Sequence, residues 1–422
     1  MKTSKTINKC RICGLRKLIR IISLGKLYIS NFVDSEDISK KGKQPLDLVI
    51  CDPNSGGCGL VQLRHDFSLD LLYKNYWYRS GVNKSMTESL ADVAKKAEMV
   101  AKPKEGDYII DIGSNDATLF RFYKTKKLNF VGFEPATNLI PYAKKNYSSA
   151  TYINDFFGFT NWQKKFGAKK AKIITAIAMF YDLDNPNKFV ADIVKCLDAK
   201  GVFIVQMSYL PSMLQQNAFD NICHEHLEYY SIKSLSNLLE RHNLEIFDVE
   251  LNDVNGGSFR AYIQHKGYRP INDHVRKLEK TEDKLKLSSL ETYKDFALRI
   301  LDLKEKLYNF IKNETQKGKK VYIYGASTKG NTLLQFFNLD SRLIKAAAER
   351  NPDKWGKKTV STLIPIISEE QARKEKPDYF LVLPWHFLKE FLVREKDYLK
   401  SGGKFIVPLP LFKVIGYKDL QK

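Results

Sequence analysis

Tyr108-Ile-Ile-Asp111-Ile-Gly113-Ser-Asn115-Asp116 decides how this chain is read. A short apolar run meets a glycine, and the Ser-Asn-Asp behind it cannot continue a buried strand. The pattern predicts a strand ending in a loop, with the glycine letting backbone approach a ligand closely. One glycine is not the G-x-G-x-x-G of dinucleotide folds, so NAD is not favoured. Outward from this point, Phe130-Val-Gly-Phe-Glu134, Ile173-Ile-Thr-Ala-Ile177 and Val202-Phe-Ile-Val-Gln206 are further strand candidates. Helical stretches lie between them, and 86–100 is amphipathic. That alternation predicts an α/β fold with a largely parallel sheet, closed by strands near 245–250 and 258–264.

Length and composition bound the rest. At 422 residues two or three domains are expected, and 43% hydrophobic with 12% aromatic residues describes a globular chain. No apolar run approaches the ~20 residues that span a bilayer, and the first ten residues lack the apolar core of a secretory signal. A cytoplasmic protein with no membrane partner is expected. The net charge of +21 raises the question of nucleic acid. Lysines are spread through all regions, in pairs such as Lys126-Lys127 and Lys169-Lys170, rather than clustered with aromatics. An anionic small substrate is favoured over a nucleic-acid partner.

Three regions emerge. Four of the six cysteines, Cys10, Cys13, Cys51 and Cys58, fall in the first 58 residues. In a reducing compartment they read as a tetrahedral zinc site rather than disulfides, although the Cys51-to-Cys58 gap is wider than a standard knuckle. Four sulfurs leave no open position, so this metal would hold a fold and do no chemistry. Residues 1–80 are expected to be that zinc-binding module, and 81–268 the first α/β domain. From 269 to 422 a helical linker, free of Gly and Pro until Gly318 after about 270, precedes a second α/β domain. Its strand candidates are Val321-Tyr-Ile-Tyr324, 343–348, Tyr379-Phe-Leu-Val-Leu383 and Phe405-Ile-Val407.

The loop Asp111, Gly113, Asn115, Asp116 gains meaning from residues further along the chain. Glu134 ends the second strand, 23 residues after Asp111, where a carboxylate suits two ribose hydroxyls. Asp155 and Phe156, after a third strand at 151–153, offer an acid and a ring to an adenine. Together these resemble the S-adenosylmethionine (SAM) pattern of class I methyltransferases.

A concentrated acid/base stretch comes next, at Phe219-Asp-Asn-Ile-Cys223-His224-Glu225-His226-Leu-Glu228-Tyr-Tyr-Ser231. Histidine suits proton abstraction near neutral pH. Two residues apart, His224 and His226 face opposite sides of a strand or diverge on a loop, so they do not share one role. Glu225 or Glu228 could orient an imidazole; the cluster could equally be a satisfied structural network. A second zinc site with Cys223 is too compressed for ordinary chelation.

Tyr324-Gly325-Ala-Ser327-Thr-Lys329-Gly-Asn331 reads as strand, loop and helix start. Backbone N–H groups there, with Ser327 and Lys329, suit a pyrophosphate, although the Walker order is absent. Glu349 and Asn351 could meet a nucleoside, and His386 follows a later strand toward the same crevice. Tyr76, Tyr78 and Arg79 could cover SAM or substrate, and Asn255-Gly-Gly-Ser258 could bring backbone to a ligand.

The order of parts resembles the nucleotide-sugar C-methyltransferase family. The resemblance rests on the four cysteines with Cys58-Gly-Leu-Val-Gln-Leu63, on Tyr76-Trp-Tyr-Arg-Ser-Gly81, and on 111–116. It continues through His224-Glu-His226 with Tyr229-Tyr-Ser231, Asn255-Gly-Gly-Ser-Phe-Arg260, and Gly325-Ala-Ser-Thr-Lys-Gly-Asn331. It implies a zinc-binding module, a Rossmann-like class I methyltransferase core and a C-terminal Rossmann-like α/β domain. It further implies His226 as general base with Glu225 beside it and His224 in the same segment. The implied substrate is a nucleoside diphosphate 4-keto-6-deoxysugar, held among Tyr78, Tyr181, Asn255, Ser327, Lys329, Asn331, Glu349 and His386, in surface-polysaccharide or antibiotic-sugar synthesis. Two positions depart from the family: Cys223 stands where a tyrosine is expected, and Phe180-Tyr181-Asp182 where a histidine is expected. The acceptor atom therefore stays open between carbon and a sugar oxygen or nitrogen. A reading from another class is a zinc-stapled nucleic-acid binder on an inert methyltransferase fold. As to assembly, a monomer or homodimer is expected.

Overall fold

The N-terminal segment is built on three antiparallel strands, β1 (Leu18–Leu27), β2 (Gln44–Cys51) and β3 (Val61–Leu63). Their fourth neighbour comes from far along the chain: Glu228–Tyr229, inside the acid/base stretch, pairs antiparallel with β3. Glu228 lies opposite Gln62 and Tyr229 opposite Val61, and the Leu63 N–H donates to the Leu227 carbonyl at 2.8 Å. The segment that carries the candidate base is thereby anchored on the N-terminal module. The computed structural model describes residues 4–34, 42–68, 72–74 and 76–420; Met1, Lys2 and Thr3 of the N-terminus read above lie outside them.

Helix α1 (Lys84–Ala101) starts the middle region. Asn83 caps it by accepting the N–H groups of Ser85 and Met86, and it buries Leu90, Val93, Ala94, Ala97 and Ala101 along one face. Seven strands follow: β4 (Tyr108–Ile112), β5 (Asn129–Phe133), β6 (Thr151–Ile153), β7 (Ala171–Ile177), β8 (Leu197–Ser208), β9 (Leu244–Asn252) and β10 (Ser258–His265). They form one sheet in the order β9-β10-β8-β7-β4-β5-β6, with β10 antiparallel to both its neighbours and the remaining pairs parallel. Ile110 and Ile112 pack into the core on one face and Ile109 into the core on the other, which is why β4 reads as a continuous apolar run. Its parallel partners place Asp111 opposite Gly132 on one side and Thr175 on the other.

Two helices, α2 (Asp273–Lys284) and α3 (Leu290–Gln316), lead onward. α3 buries Tyr293, Phe296, Ile300, Leu303, Leu307 and Ile311 at helical spacing. Each such side chain contributes about 2 kcal/mol of burial. A second sheet follows, from β11 (Val321–Tyr324), β12 (Ala347–Glu349), β13 (Ile366–Ser368), β14 (Tyr379–Val382), β15 (Lys404–Val407) and β16 (Lys413–Ile415), in the order β13-β12-β11-β14-β15-β16. It is parallel except at β15–β16. Helix α4 (Thr328–Phe337) leaves β11 through Gly325, whose φ of +83° is a left-handed turn conformation. The strand expected at 343–348 forms only at 347–349, and 343 lies in a turn.

Candidate active site

A cavity of about 420 Å³ lies where the regions meet. Its wall takes in Tyr76 and Tyr78 from before α1, Asp111, Gly113, Asn115 and Glu134 from the first sheet, and Phe156 beyond β6. At its other end stand Tyr181, Asp182, Cys223, Glu225 and His226, joined by Asn255 and by Lys329 from the start of α4.

The first end has the features a SAM site needs. Gly113 turns the chain at φ +69°, and a Cβ there would stand 3.2 Å from the Met179 side chain. Glu134 accepts the N–H groups of Asn115 and Ala136, both at 2.8 Å, which holds its carboxylate at the cavity wall. Burial pushes its pKa up, against those two hydrogen bonds. Asp111 accepts the Thr175 hydroxyl at 2.6 Å, and burial pushes its pKa up to about 7. Asn115 also holds the chain above it. Its side chain takes the Ser80 N–H at 3.0 Å and gives to the Tyr78 carbonyl at 3.1 Å. Asn138 clips Tyr76 in the same way, giving to its carbonyl at 2.9 Å and taking its N–H at 3.0 Å. The aromatic strap 76–80 is thus fastened over the loop.

The second end is organised around His226. Its Nδ1 lies 3.0 Å from the Asn221 carbonyl oxygen, which can only accept, so Nδ1 carries the proton and Nε2 keeps its lone pair. Tyr181 packs on the ring with centroids 4.4 Å apart. Burial first, then the charge of Lys329, push the imidazole pKa down to about 3, so His226 is neutral at pH 7. Lys329 reaches across from α4 and donates to the Asn221 side-chain oxygen at 2.6 Å. The Tyr73 hydroxyl donates to the Glu225 carbonyl at 3.0 Å.

Several residues expected at the site lie elsewhere. His224 turns the opposite way from His226. It is buried against Phe67, its Nε2 is 3.4 Å from the Gln44 carbonyl, and burial takes its pKa down to about 4. Asp116 is buried under the strap, accepting the Gly81 N–H at 2.9 Å and the Thr118 hydroxyl at 2.7 Å. Asp155 is exposed and accepts the Phe156 N–H and the Asn161 amide. Ser327 is the N-cap of α4, taking the Gly330 N–H at 3.0 Å. Asn331 is fully buried in that helix and gives to the Asn31 carbonyl. Glu349 accepts the N–H groups of Ala326, Arg350 and Asn351 and pairs with Lys354, which ties its carboxylate into the loop itself. His386 packs between Trp385 and Phe387, outside the cavity wall. The expectations missed Asp182, Tyr73 and Asn221. An acid two residues beyond Phe180, in the loop after β7, is a readable signal for Asp182; the Asn221 contact uses backbone and leaves no trace in sequence.

The metal expectation has its own geometry. Sγ atoms of Cys10, Cys13, Cys51 and Cys58 all lie within 4.8 Å of one another, with Cys10 to Cys58 at 3.5 Å and Cys13 to Cys51 at 3.4 Å. A tetrahedral zinc with Zn–S of about 2.3 Å puts its sulfurs about 3.8 Å apart, so the four thiols fit it.

Comparison with known proteins agrees. Residues 10–73 match the family described as "Putative zinc binding domain", 82–249 a methyltransferase domain, and 253–410 a C-methyltransferase C-terminal domain. The C-methyltransferase NovU of Streptomyces niveus is 28% identical over 414 residues, covering 97% of each chain. Solved structures with similarity include the plantazolicin methyltransferase BpumL with S-adenosylhomocysteine (SAH), at 14% identity and TM-score 0.34 over 42% of this chain and 82% of that one. Another is a SAM-dependent methyltransferase from Clostridium acetobutylicum, at 13% identity and TM-score 0.35 over 43% of this chain and 92% of that one. Matches to a zinc-binding domain, a methyltransferase domain and a C-methyltransferase C-terminal domain follow one another along the chain. It is a SAM-dependent methyltransferase with a structural zinc site. No described helix is long and apolar enough to cross a membrane.

Proposed function

We propose that the enzyme methylates a sugar carbon next to the 4-keto group of a nucleoside diphosphate sugar, in the cytoplasm. The observation that carries this reading is the tautomer of His226: with Nδ1–H held by the Asn221 carbonyl, Nε2 is the basic atom of a neutral imidazole in the cavity wall. A carbonyl acidifies the adjacent C–H, and a base positioned there converts the carbon to an enolate. When bound, SAM supplies an electrophilic methyl on a sulfonium that departs as a neutral thioether. Asp111, Gly113, Glu134, Phe156 and the Tyr76 strap would hold it.

Lys329 links the sugar's anionic part to the base. Its charge depresses His226 while it is free of an anion. A diphosphate seated on Lys329 neutralises that charge and raises the basicity of His226 as substrate arrives. Tyr78 and Asn255 lie at the wall for the sugar, and Tyr181 positions the imidazole by its packing.

The test is hydrogen exchange. The protein is incubated in D₂O with a nucleoside diphosphate 4-keto-6-deoxysugar, and proton NMR follows the position next to the carbonyl. Exchange that disappears in His226→Asn supports the reading. Methyl transfer to a non-keto sugar without carbon exchange replaces it with O- or N-methylation, which Cys223, at a position where the resembling family has tyrosine, keeps as the second reading.

A further inference from the structure

An enolate needs a donor at its oxygen as well as a base at its carbon. At the His226 end of the cavity several donors are already engaged. The Tyr73 hydroxyl gives to the Glu225 carbonyl, and Lys329 gives to Asn221. The hydroxyls of Tyr76, Tyr78 and Tyr181 also line the cavity, and two carboxyl groups stand with them. Asp182 and Glu225 both line the cavity, and each has a buried oxygen, Oδ1 and Oε2, without a hydrogen-bond partner. The Glu225 charge acts on Asp182, and like charges in a buried site favour one group keeping its proton, which makes it a hydrogen-bond donor.

We propose that Asp182 donates the hydrogen bond that steadies the substrate's carbonyl oxygen while the neighbouring carbon is deprotonated. This rests on the keto-sugar reading above. The C–H proton passes to His226 Nε2, the C–H electron pair becomes a carbon–carbon π bond, and the carbonyl π pair moves onto the oxygen. The carbon–carbon π pair then forms the new bond at carbon, the oxygen pair restores the carbonyl, and Asp182 keeps its own proton throughout. Glu225 is the group whose charge keeps Asp182 neutral. Burial raises Glu225 as well, against hydrogen bonds from its own backbone N–H and the Cys223 thiol. Burial first, then the Glu225 charge, push Asp182 well above the usual carboxylate range, against a hydrogen bond with Tyr73 and the charge of Lys329.

Asp182 interacts with Glu225, Cys223, Glu228 and Tyr229 of the acid/base stretch. Tyr73 and Tyr76 face it from the strap side, Tyr181 from beside it, and Lys329 from α4. The four tyrosines and the thiol are pushed well above their ordinary values, so they stay protonated as Asp182 titrates. Donation by Asp182 is present at low pH and lost as pH rises through its raised value.

The experiment is carbon–deuterium exchange of a 4-keto-6-deoxysugar nucleotide by the full-length protein across pH, with folding of each variant checked by SAH binding. Asp182→Ala should slow exchange roughly 10²-fold, the loss typical of one oxyanion donor. Asp182→Asn, which keeps a donor and cannot ionise, should recover part of the rate and lack the alkaline decline. Glu225→Gln should move that decline to lower pH. Exchange by Asp182→Ala at the unaltered rate, or an alkaline decline that persists in Asp182→Asn, overturns the assignment while the keto-sugar reading stands. Absence of exchange in the unaltered protein overturns both.

Discussion

His226 Nδ1 stands 3.0 Å from the carbonyl oxygen of Asn221, and that contact fixes which ring nitrogen is basic. The side chain of Asn221 receives Lys329 from the second sheet's first helix, so base and cation share one support. In the proposed reaction this link lets the group that meets the substrate's anion set the basicity of the base.

The acid limb of kcat/KM should show this. In the proposed reaction neutral His226 is the active form, so activity should rise as pH climbs through its pKa. With that pKa down at about 3, no limb is expected near the ordinary imidazole 6.5. A pH profile for the free enzyme with a histidine-type limb between about 6 and 7 would contradict it.

Lys329→Met removes the charge that depresses His226. The limb should move to higher pH and KM for a diphosphate sugar should rise roughly tenfold, the weight of one charge-assisted contact of about 1.5 kcal/mol. Steady-state kinetics against sugar concentration separate the two effects. An unchanged KM would remove Lys329 from the anion site.

His224 should behave as a structural residue. It is held neutral with its pKa down at about 4 in the fold, below the 6.5 of an unfolded chain. Its contribution to stability is complete above 6.5 and lost as pH falls toward 4. Tm should therefore drop on acidification through that window, and drop less in His224→Gln. Per folded molecule, His224→Gln should keep its carbon exchange. Loss of exchange with an unaltered Tm would place His224 in the chemistry.

Metal analysis should find one zinc per chain, lost in Cys13→Ser. Zinc binding at such sites supplies on the order of 10 kcal/mol to folding. Its loss should therefore lower Tm, and activity with it, because Glu228–Tyr229 pairs with β3 of the same module. A variant that lacks zinc yet keeps Tm and rate would refute a structural role.

The run into Gly113, the strand-end Glu134 and the four cysteines are legible in the sequence because each carries a local signal. Spacing also shows that His224 and His226 diverge; it does not show which one faces the cavity, because that depends on β3, more than 150 residues upstream. Glu134 and Glu349 mark the limit most clearly. Glu134 follows the second strand of its sheet and Glu349 ends the second strand of its own, and both accept backbone N–H groups, yet only Glu134 lines the cavity. Glu349 has Lys354 as an ion partner, and nothing at the strand end announces it. Ser327 fits a ligand donor by a pattern that equally describes an N-cap, and the cap is what forms.

The position of the transferred methyl decides the reaction. SAM labelled with ¹³C at the methyl is turned over with a nucleoside diphosphate 4-keto-6-deoxysugar, and carbon–proton correlation NMR finds the atom that bears the label. With His226 as a base toward carbon, the label is expected on the ring carbon next to the carbonyl, with none in His226→Asn. Label on a sugar oxygen or nitrogen, at a rate indifferent to His226, would contradict carbon methylation.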